Sequence, residues 1–406
     1  MTKNTEKIVP VIELTVGADI GNSSTEIAIQ NENGVYEYFT QSSVIHSKPL
    51  RPEEEIIDSI SKSLDELLDN LDVFFGSEKL NLNRYYSVGT QAIKSNASIR
   101  NMDITLSDKA NNDIPMITSI SMLAAIALKK HYAETNELPN DLEAKINMCT
   151  AIPASEYTVA KARMLEDRFK ASHTVKLYIG SEVITVNVNI INCRVTEEGK
   201  TAMLAFSAAN DDIFDIYKET YENKDSEFYD ESSNITLDQF LESESFHSDI
   251  GDGSTEFTFI DGFNPVNSHG VMAGVGHVTA NAIEEYKARL NNSVVDVPRQ
   301  YFMQLLRSNK SKSALAKEVF DSSLNEASTD MYTKMTNQYM SLTKSAAEFL
   351  VVHGGGANVF KDKIYSKYVE FANRAMAKVL WVPEKYATKM NSTGLLVLAQ
   401  NIYENK

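Results

Sequence analysis

The chain has 406 residues, 43% of them hydrophobic and 23% charged, so it reads as an ordinary globular protein long enough for two domains. Its formal net charge of −17 argues against direct wrapping of nucleic acid, whose affinity for proteins comes mainly from neutralised phosphates. The two cysteines indicate neither a disulfide framework nor a zinc site, and a cytoplasmic location is the simplest expectation. No apolar stretch approaches the length of a membrane span, and the polar start from Met1 to Lys7 is not a signal peptide, so we expect no membrane association.

Strand-like and helix-like patterns alternate along the chain. The predicted elements of the first half are paired strands in 8–29, a helix that starts at Pro52 and Glu53, a helix at about 117–133, a strand at 146–152 and a helix capped by Ser155. The helix from Pro52 is expected to carry one apolar face, formed by Ile56, Ile60, Leu64, Leu67 and Leu71. The second half is predicted to contain a strand at 183–195, a helix at 276–290, helical structure at about 299–347, a strand at 349–352 and a helix at 395–403. Strands that alternate with helices indicate the α/β class.

Residues 207–247 stand apart by their charge. They contain twelve Asp or Glu residues against only Lys218 and Lys224, which accounts for more than half of the chain's excess negative charge. The segment is also rich in Ser, Asn and Tyr. We interpret it as an acidic inserted loop that is exposed to solvent and holds at most one helix.

Two short turns, about 230 residues apart, carry the same order of residues. The first contains Asp19, Gly21, Asn22, Ser23, Ser24 and Thr25, and the second contains Asp249, Gly251, Asp252, Gly253, Ser254 and Thr255. Each is followed by apolar or β-branched residues typical of a strand, so the pattern predicts strand, tight turn, strand. Such a turn can direct backbone N–H groups and hydroxyls toward an anion, while its Asp can hold a hydrated Mg²⁺. One copy alone could be a simple tight turn, and the repetition is what favours phosphate binding.

A third glycine-rich element follows the strand that ends near His353. Gly354, Gly355 and Gly356 precede Ala357 and Asn358, where a helix is expected to begin. Three glycines allow a flat ligand to lie against the backbone, and the following helix directs its N-terminus toward that ligand. The alternative interpretation is a flexible turn.

The three elements together resemble the nucleotide-binding signature of the actin, sugar-kinase and chaperone ATPase superfamily. Within it, the chain is most similar to ParM-type bacterial actins, the filament-forming ATPases of plasmid segregation. Further segments at 150–157, 195–202 and 270–283 resemble the corresponding segments of that family in order and spacing, so the resemblance spans nearly the whole chain.

The resemblance implies an actin-like two-domain fold with a nucleotide cleft between two related βα domains. Residues 1–153 and about 380–406 would form the first domain, and residues 154–379 would form the second. It implies Mg²⁺ and ATP, or GTP, as cofactors, and it places Asp19 and Asp249 beside the metal's water shell. The two turns would bind phosphate, and Gly354, Gly355, Gly356, Ala357 and Asn358 would border the nucleoside.

The resemblance also implies a catalytic glutamate after the strand at 183–195. Glu198 would position and polarise the attacking water, with Asp249 as the second catalytic residue. Its neighbour Glu197 is the competing choice, because the end of a strand is uncertain by a residue or two. Glu198 is preferred because it directly precedes Gly199.

The function implied is a polymerising ATPase whose filaments move plasmid DNA. Its partners would be further copies of itself and a DNA-binding adaptor of the ParR type, with plasmid DNA contacted only indirectly. A basic adaptor would suit the acidic surface. The alternative is a small-molecule phosphotransferase of the same superfamily that does not polymerise.

Overall fold

The computed structural model describes residues 9–53, 56–95, 98–102, 108–291, 297–309 and 311–404. The chain forms two compact units. Unit 1 takes its described residues from Met1–Ile152, Glu156–Thr196 and Leu395–Lys406, and unit 2 takes them from Pro153–Ser155 and Glu197–Gly394.

Unit 1 is built on a mixed sheet. Its ten strands are β1 (Val11–Ile20), β2 (Ser24–Gln30), β3 (Tyr36–Ser42), β4 (Val44–Lys48), β5 (Asp72–Ser77), β6 (Arg84–Val88), β7 (Arg100–Asn101), β8 (Asp141–Ile152), β9 (His173–Ile179) and β10 (Glu182–Glu197). They lie in the order β3-β2-β1-β8-β10-β9-β5-β6-β4-β7. At its centre, β1 runs parallel to β8, with Leu14 opposite Ile146. Apolar side chains at alternate positions of these strands enter one continuous core.

Four helices of unit 1 follow the strands in sequence: α1 (Ile60–Asp65), α2 (Thr90–Lys94), α3 (Asp113–Thr135) and α4 (Val159–Phe169). Every side chain of α3 from Ile114 to Leu128 is buried, so this helix lies inside the core. Because β9 and β10 extend the sheet that contains β1, residues 156–196 fall in unit 1. The domain boundary that the sequence suggests after residue 153 stays a prediction. The two compact units have different bounds, because most of residues 154–196 belong to unit 1.

Unit 2 contains a second sheet with the order β13-β12-β11-β14-β15. Its strands are β11 (Glu244–Ile250), β12 (Thr255–Asp261), β13 (Asn264–Val271), β14 (Phe349–His353) and β15 (Lys378–Trp381). Its helices are α5 (Ala202–Ser207), α6 (Asp215–Tyr221), α7 (Leu237–Leu241), α8 (Val275–Arg289), α9 (Arg299–Arg307), α10 (Ser311–Thr343), α11 (Ala357–Arg374) and α12 (Glu384–Ala387), and α13 (Met390–Tyr403) continues into the last residues of unit 1. Strand β14 runs parallel to β11 and β15, and its five side chains are buried. Among the described residues, no helix is both long and apolar enough to cross a membrane.

Two predicted helix starts are wrong. The first helix begins at Ile60 instead of Pro52, because the hydroxyl of Ser59 accepts a hydrogen bond from the Lys62 N–H and caps it there. Ile56 is fully exposed, and part of the predicted apolar stripe lies in a 3₁₀ turn at Leu67–Asn70. Of the acidic run that was read as a helix start, residues 54 and 55 lie outside the described residues. Likewise, Thr158 caps α4, whereas Ser155 was predicted to do so.

The interpretation of residues 207–247 as an exposed loop is also wrong. The segment contains a 3₁₀ turn at Asp211–Phe214, helices α6 and α7, and the start of β11. Three of its aromatic residues, Tyr217, Tyr221 and Phe240, are buried on the inner faces of these helices. The backbone N–H of Val379 in β15 donates a 2.9 Å hydrogen bond to the Tyr221 hydroxyl. The acids therefore cover the outer side of a segment that forms part of the unit 2 core.

Candidate functional site

The first glycine turn connects β1 to β2 in unit 1. The two strands are antiparallel, with Ile20 opposite Thr25 and Asp19 opposite Glu26. The Gly21 N–H donates a 2.8 Å hydrogen bond to the Ser24 carbonyl. A Cβ on Gly21 would lie 2.9 Å from that carbonyl oxygen, so glycine is required for this closure.

The second turn, between β11 and β12 in unit 2, repeats this geometry. Ile250 lies opposite Thr255 and Asp249 lies opposite Glu256. The Gly251 N–H donates a 2.9 Å hydrogen bond to the Ser254 carbonyl, and a Cβ on Gly251 would lie 2.8 Å from the same oxygen. The repeat in the sequence is therefore a repeat in backbone structure.

The carbonyls of the second turn all face protein donors. The carbonyl of Ile250 accepts from the Gly356 N–H, that of Gly251 from the Val275 N–H and that of Asp252 from the Gly276 N–H. The carbonyl of Gly253 accepts from the His277 ring, and that of Ser254 accepts from the Gly251 N–H. Three of these donors lie in the first turn of α8, so the start of that helix holds the turn in place. Within the described ranges, the N–H groups of Asp252, Gly253 and Ser254 donate to no protein acceptor. A turn with this pattern is suited to bind an anion.

The first turn has a similar pattern. The Ser43 hydroxyl donates a 2.7 Å hydrogen bond to the Gly21 carbonyl, and the Ser43 N–H donates to the Ser23 carbonyl. In the part of unit 1 that the structure describes, the N–H groups of Asn22 and Ser23 have no protein acceptor. The Ser23 side chain is exposed, and the Ser24 hydroxyl donates to the Glu26 carboxylate.

Two side chains of the second turn are engaged elsewhere. Arg299, the first residue of α9, contacts both carboxylate oxygens of Asp252, one of them at 2.6 Å. The hydroxyl of Thr255 is buried and donates a 2.7 Å hydrogen bond to the Ala273 carbonyl. The assignment of these two side chains as phosphate ligands stays a prediction, and this geometry does not support it.

Asp249 is nearly buried, with 5% of its surface exposed, and the side chains of Asn391 and His353 lie next to its carboxylate. The side-chain amide of Asn391 donates a 2.8 Å hydrogen bond to Oδ2. Nδ1 of His353, the residue opposite Asp249 in the β11–β14 pair, lies 3.6 Å from Oδ1. Burial lowers the pKa of His353 to about 4, so this histidine is neutral at physiological pH.

Two of the glycines after β14 have a packing role that the sequence did not indicate. Gly354 has a φ of +93°, and a Cβ there would lie 2.3 Å from Oδ1 of Asp249. A Cβ on Gly356 would lie 2.8 Å from the Gly251 carbonyl. These two glycines therefore allow the loop to pack against the second turn. Gly355 is exposed and Asn358 is half-buried, so they remain accessible to a ligand.

The structure separates the two candidate glutamates at the end of β10. Both carboxylate oxygens of Glu197 are engaged, since Lys200 contacts Oε1 at 2.7 Å and the Ser268 hydroxyl donates to Oε2 at 2.8 Å. Glu198 is half-buried and lies near Glu256, whose pKa its carboxylate raises. Gly199 has a φ of +80°, which explains why a glycine follows Glu198.

Two glutamates that the sequence patterns did not point to, Glu26 and Glu256, follow the turns. Burial raises the pKa of each to about 8, and the facing aspartates add to the effect. For Glu256 the Glu198 carboxylate contributes more than Asp249 does. Lys109, a buried residue, partly offsets the shift at Glu26. The signal was present in the sequence, because both turns continue with Ser, Thr and Glu.

Comparison with known proteins identifies the fold. Residues 17–200 match the family model of the N-terminal domain of actin-like proteins. ParM from Bacillus thuringiensis, solved with ATP, is 14% identical with a TM-score of 0.60, over 97% of this chain and 100% of that one. The actin-like protein Alp7A is 16% identical with a TM-score of 0.64, over 97% and 98% of the two chains. A non-polymerisable quadruple mutant of pCBH ParM is 18% identical with a TM-score of 0.61, over 96% and 100%.

No curated protein matches the chain in sequence. The protein nevertheless has the actin-like fold, which confirms the fold class expected from the sequence. The similarity to ParM-type actins is confirmed as well, at the level of the fold and along nearly the whole chain. In unit 2, the structure brings together the second turn, Asp249, the glycine loop and the segment of Glu198. The first turn lies in unit 1.

Proposed function

We propose that this protein is an actin-like ATPase that forms filaments when it binds nucleotide, and that its filaments segregate plasmid DNA. The observation that carries the proposal is the pair of hairpins at Gly21 and Gly251 within an actin-like fold. Each hairpin is closed by the same kind of N–H to carbonyl hydrogen bond, and its strands pair in the same register. A protein that binds a polyphosphate through two such turns needs both of them, which accounts for the repetition.

The free N–H groups of the two turns are proposed to bind the phosphates of the nucleotide, with the hydroxyls of Ser23 and Ser254 as further donors. Asp19 and Asp249 are proposed to organise the water shell of Mg²⁺. The residues suit this role, because both aspartates directly precede a turn that offers N–H groups to phosphate. When bound, Mg²⁺ would neutralise charge on the phosphates. Gly355 and Asn358 are the proposed contacts of the nucleoside, which is that of ATP or of GTP.

Glu198 is the proposed catalytic residue for hydrolysis. Its neighbour Glu197 is held by Lys200 and Ser268, so it is poorly placed to receive a proton from water. Glu198 directly precedes Gly199, whose φ is +80°, and it is only half-buried, which suits a carboxylate that orients a water molecule.

The proposed partners follow from the charge and the fold. Further copies of the chain would form the filament. A basic DNA-binding adaptor of the ParR type would connect it to plasmid DNA, since a net charge of −17 disfavours direct contact with DNA. These partners and a cytoplasmic location belong to the same proposal.

Electron microscopy of the purified protein tests the proposal. Negatively stained samples would be compared after addition of Mg²⁺–ATP, of Mg²⁺–GTP and of Mg²⁺ alone. We expect filaments with at least one nucleotide and none with Mg²⁺ alone. Nucleotide binding with phosphate transfer to a small molecule, and without filaments, would favour the phosphotransferase instead. Failure to bind either nucleotide would overturn the proposal.

A further inference from the structure

We propose that Glu256 is a second carboxyl of the hydrolytic site, whose Oε1 atom holds the attacking water beside Glu198. The inference rests on the proposed function and adds a residue to it. It is carried by the placement of the Glu256 carboxyl, which is fixed on one side and unpartnered on the other.

One oxygen of Glu256 is fixed by the backbone. Oε2 accepts a 3.2 Å hydrogen bond from the Ala154 N–H. The side chain is 2% exposed, yet within the described chain Oε1 takes part in no hydrogen bond. A buried polar oxygen without a partner is costly, and a bound water or ligand group commonly supplies the partner.

The surrounding backbone preserves space for this carboxyl. Gly270 lies opposite Glu256 in the β12–β13 pair. A Cβ on Gly270 would lie 2.5 Å from Oε2 and 2.9 Å from Oε1, so any larger residue would displace the carboxyl. The same Cβ would lie 2.9 Å from the Ser155 nitrogen, which means that the segment holding Oε2 also packs against Gly270.

Glu256 lies next to the segment of Glu198. A Cβ on Gly199 would lie 3.7 Å from the Cβ of Glu256 and 2.8 Å from Oγ1 of Thr258, so the residue after Glu198 packs directly on β12. The Glu198 carboxylate is also close enough to raise the pKa of Glu256. On the adjacent strand, Asp249 faces Glu256 directly. The carboxylates of Glu198 and Asp249 therefore both act on the carboxyl of Glu256.

The equivalent residue of the first turn is placed differently. Glu26 faces Asp19 as Glu256 faces Asp249, and the serine two residues earlier acts on each carboxyl: the Ser24 hydroxyl donates to Oε1 of Glu26, and Ser254 lowers the pKa of Glu256. The nearby Lys109 also acts on the carboxyl of Glu26. Oε1 of Glu26 is therefore engaged, whereas in the described chain Oε1 of Glu256 has no hydrogen-bond partner.

Glu256 is a positioning residue, which orients the attacking water. In hydrolysis, the water oxygen forms a bond to the γ-phosphorus while the bond from that phosphorus to the bridging oxygen of ADP breaks. One proton of the water passes to Glu198, and the other stays on the released phosphate. Oε1 of Glu256 contributes one hydrogen bond to the water and exchanges no proton with it. A glutamine could make the same hydrogen bond, whereas a shorter side chain could not reach.

The test measures phosphate release under saturating Mg²⁺–ATP, together with the Kd of a fluorescent ATP analogue. For Glu256→Ala we expect kcat to fall about tenfold or more with Kd within about twofold, since only water positioning is lost. Glu256→Gln should keep kcat within about threefold. Glu256→Asp, which retains the carboxyl group and is less prone to unfold than Glu256→Ala, should lose about fivefold or more because it is one methylene shorter.

Glu166→Ala is the matched control. Oε1 of Glu166 accepts a 3.0 Å hydrogen bond from the Val195 N–H in unit 1, so this change also removes an acceptor from a backbone donor. Its Tm should fall while kcat stays unchanged. Values of kcat for Glu256→Asp and Glu256→Ala that equal the wild type would overturn the role of Glu256 and leave the proposed function intact. A wild type that releases no phosphate would overturn the proposed function and this inference with it.

Discussion

The side-chain amide of Asn391 donates a 2.8 Å hydrogen bond to Oδ2 of Asp249, which connects the first turn of α13 to the strand before the second glycine turn. On the other side of the same carboxylate, the backbone of Gly354 approaches so closely that it leaves no room for a Cβ. Asp249 is therefore held by two segments that are more than a hundred residues away in sequence. Its orientation is set by tertiary structure instead of by the turn alone.

Removal of the Asn391 amide is expected to weaken nucleotide binding. Asn391→Ala loses a hydrogen bond to a charged group, worth about 1.5–3 kcal/mol, and releases the carboxylate that we propose to act beside Mg²⁺. We expect the Kd for Mg²⁺–ATP to rise about tenfold or more, as measured with a fluorescent analogue. Asn391→Asp should be worse, because it places a second negative charge against Asp249. Unchanged affinity in both variants would show that Asp249 does not contribute through this orientation.

Adjacent glycines of the loop after β14 should respond differently to alanine. Gly354→Ala puts a Cβ at positive φ and 2.3 Å from Asp249, so we expect a loss of about 2 kcal/mol or more in the free energy of unfolding. Gly355→Ala is the control, since its Cβ would meet only the Thr388 methyl at 4.0 Å, and it should cost less than about 1 kcal/mol. Urea denaturation monitored by circular dichroism measures both. Equal losses would contradict the close approach of Gly354 to Asp249.

The acidic segment should behave as part of the core. Tyr221 is completely buried and Tyr229, in the same segment, is 37% exposed. Tyr221→Ala should cost about 3–5 kcal/mol, because it leaves a cavity and removes the acceptor of the Val379 N–H. Tyr229→Ala should stay within about 0.5 kcal/mol of the wild type. Denaturation curves of the two variants that coincide would restore the interpretation of an exposed loop.

Stability without nucleotide should fall as the pH rises. Burial and the carboxylates of Glu198 and Asp249 raise the pKa of Glu256 from 4.5 to about 8 in the folded protein. The folded state then binds this proton more tightly than the unfolded state does, so the contribution is full below about pH 4.5 and lost by about pH 8. Glu256→Gln cannot ionise, and we expect its Tm to decline less steeply than that of the wild type between about pH 6 and about pH 8.5. Parallel profiles would mean that Glu256 ionises near its ordinary pKa.

The two hairpins could be predicted from the sequence because their cause is local. A glycine that closes a turn, an aspartate before it and apolar strands on either side are all contiguous, as at Asp19 and Gly21. The long buried helix α3 could be predicted for a similar reason, since it contains an unbroken apolar run from Met122 to Leu128.

The features that could not be predicted from the sequence depend on contacts between distant segments. Nothing around Asp252 shows that Arg299 would occupy its carboxylate, and nothing around Asn391 shows that it would reach Asp249. The aromatic residues of the acidic segment were misread because charge dominated the pattern, although the i, i+4 spacing of Tyr217 and Tyr221 is that of a helix face. Glu26 and Glu256 were different, because comparing the two turns one residue further would have revealed them.

The central claim is that nucleotide binding drives assembly and that Glu198 acts in hydrolysis. Light scattering and phosphate release measured together after addition of Mg²⁺–ATP, for the wild type and for Glu198→Ala, test it most directly. We predict that wild-type scattering rises and then decays as phosphate appears, whereas Glu198→Ala assembles, releases little phosphate and keeps its scattering. Phosphate release without any rise in scattering, or equal phosphate release by the two proteins, would contradict the claim.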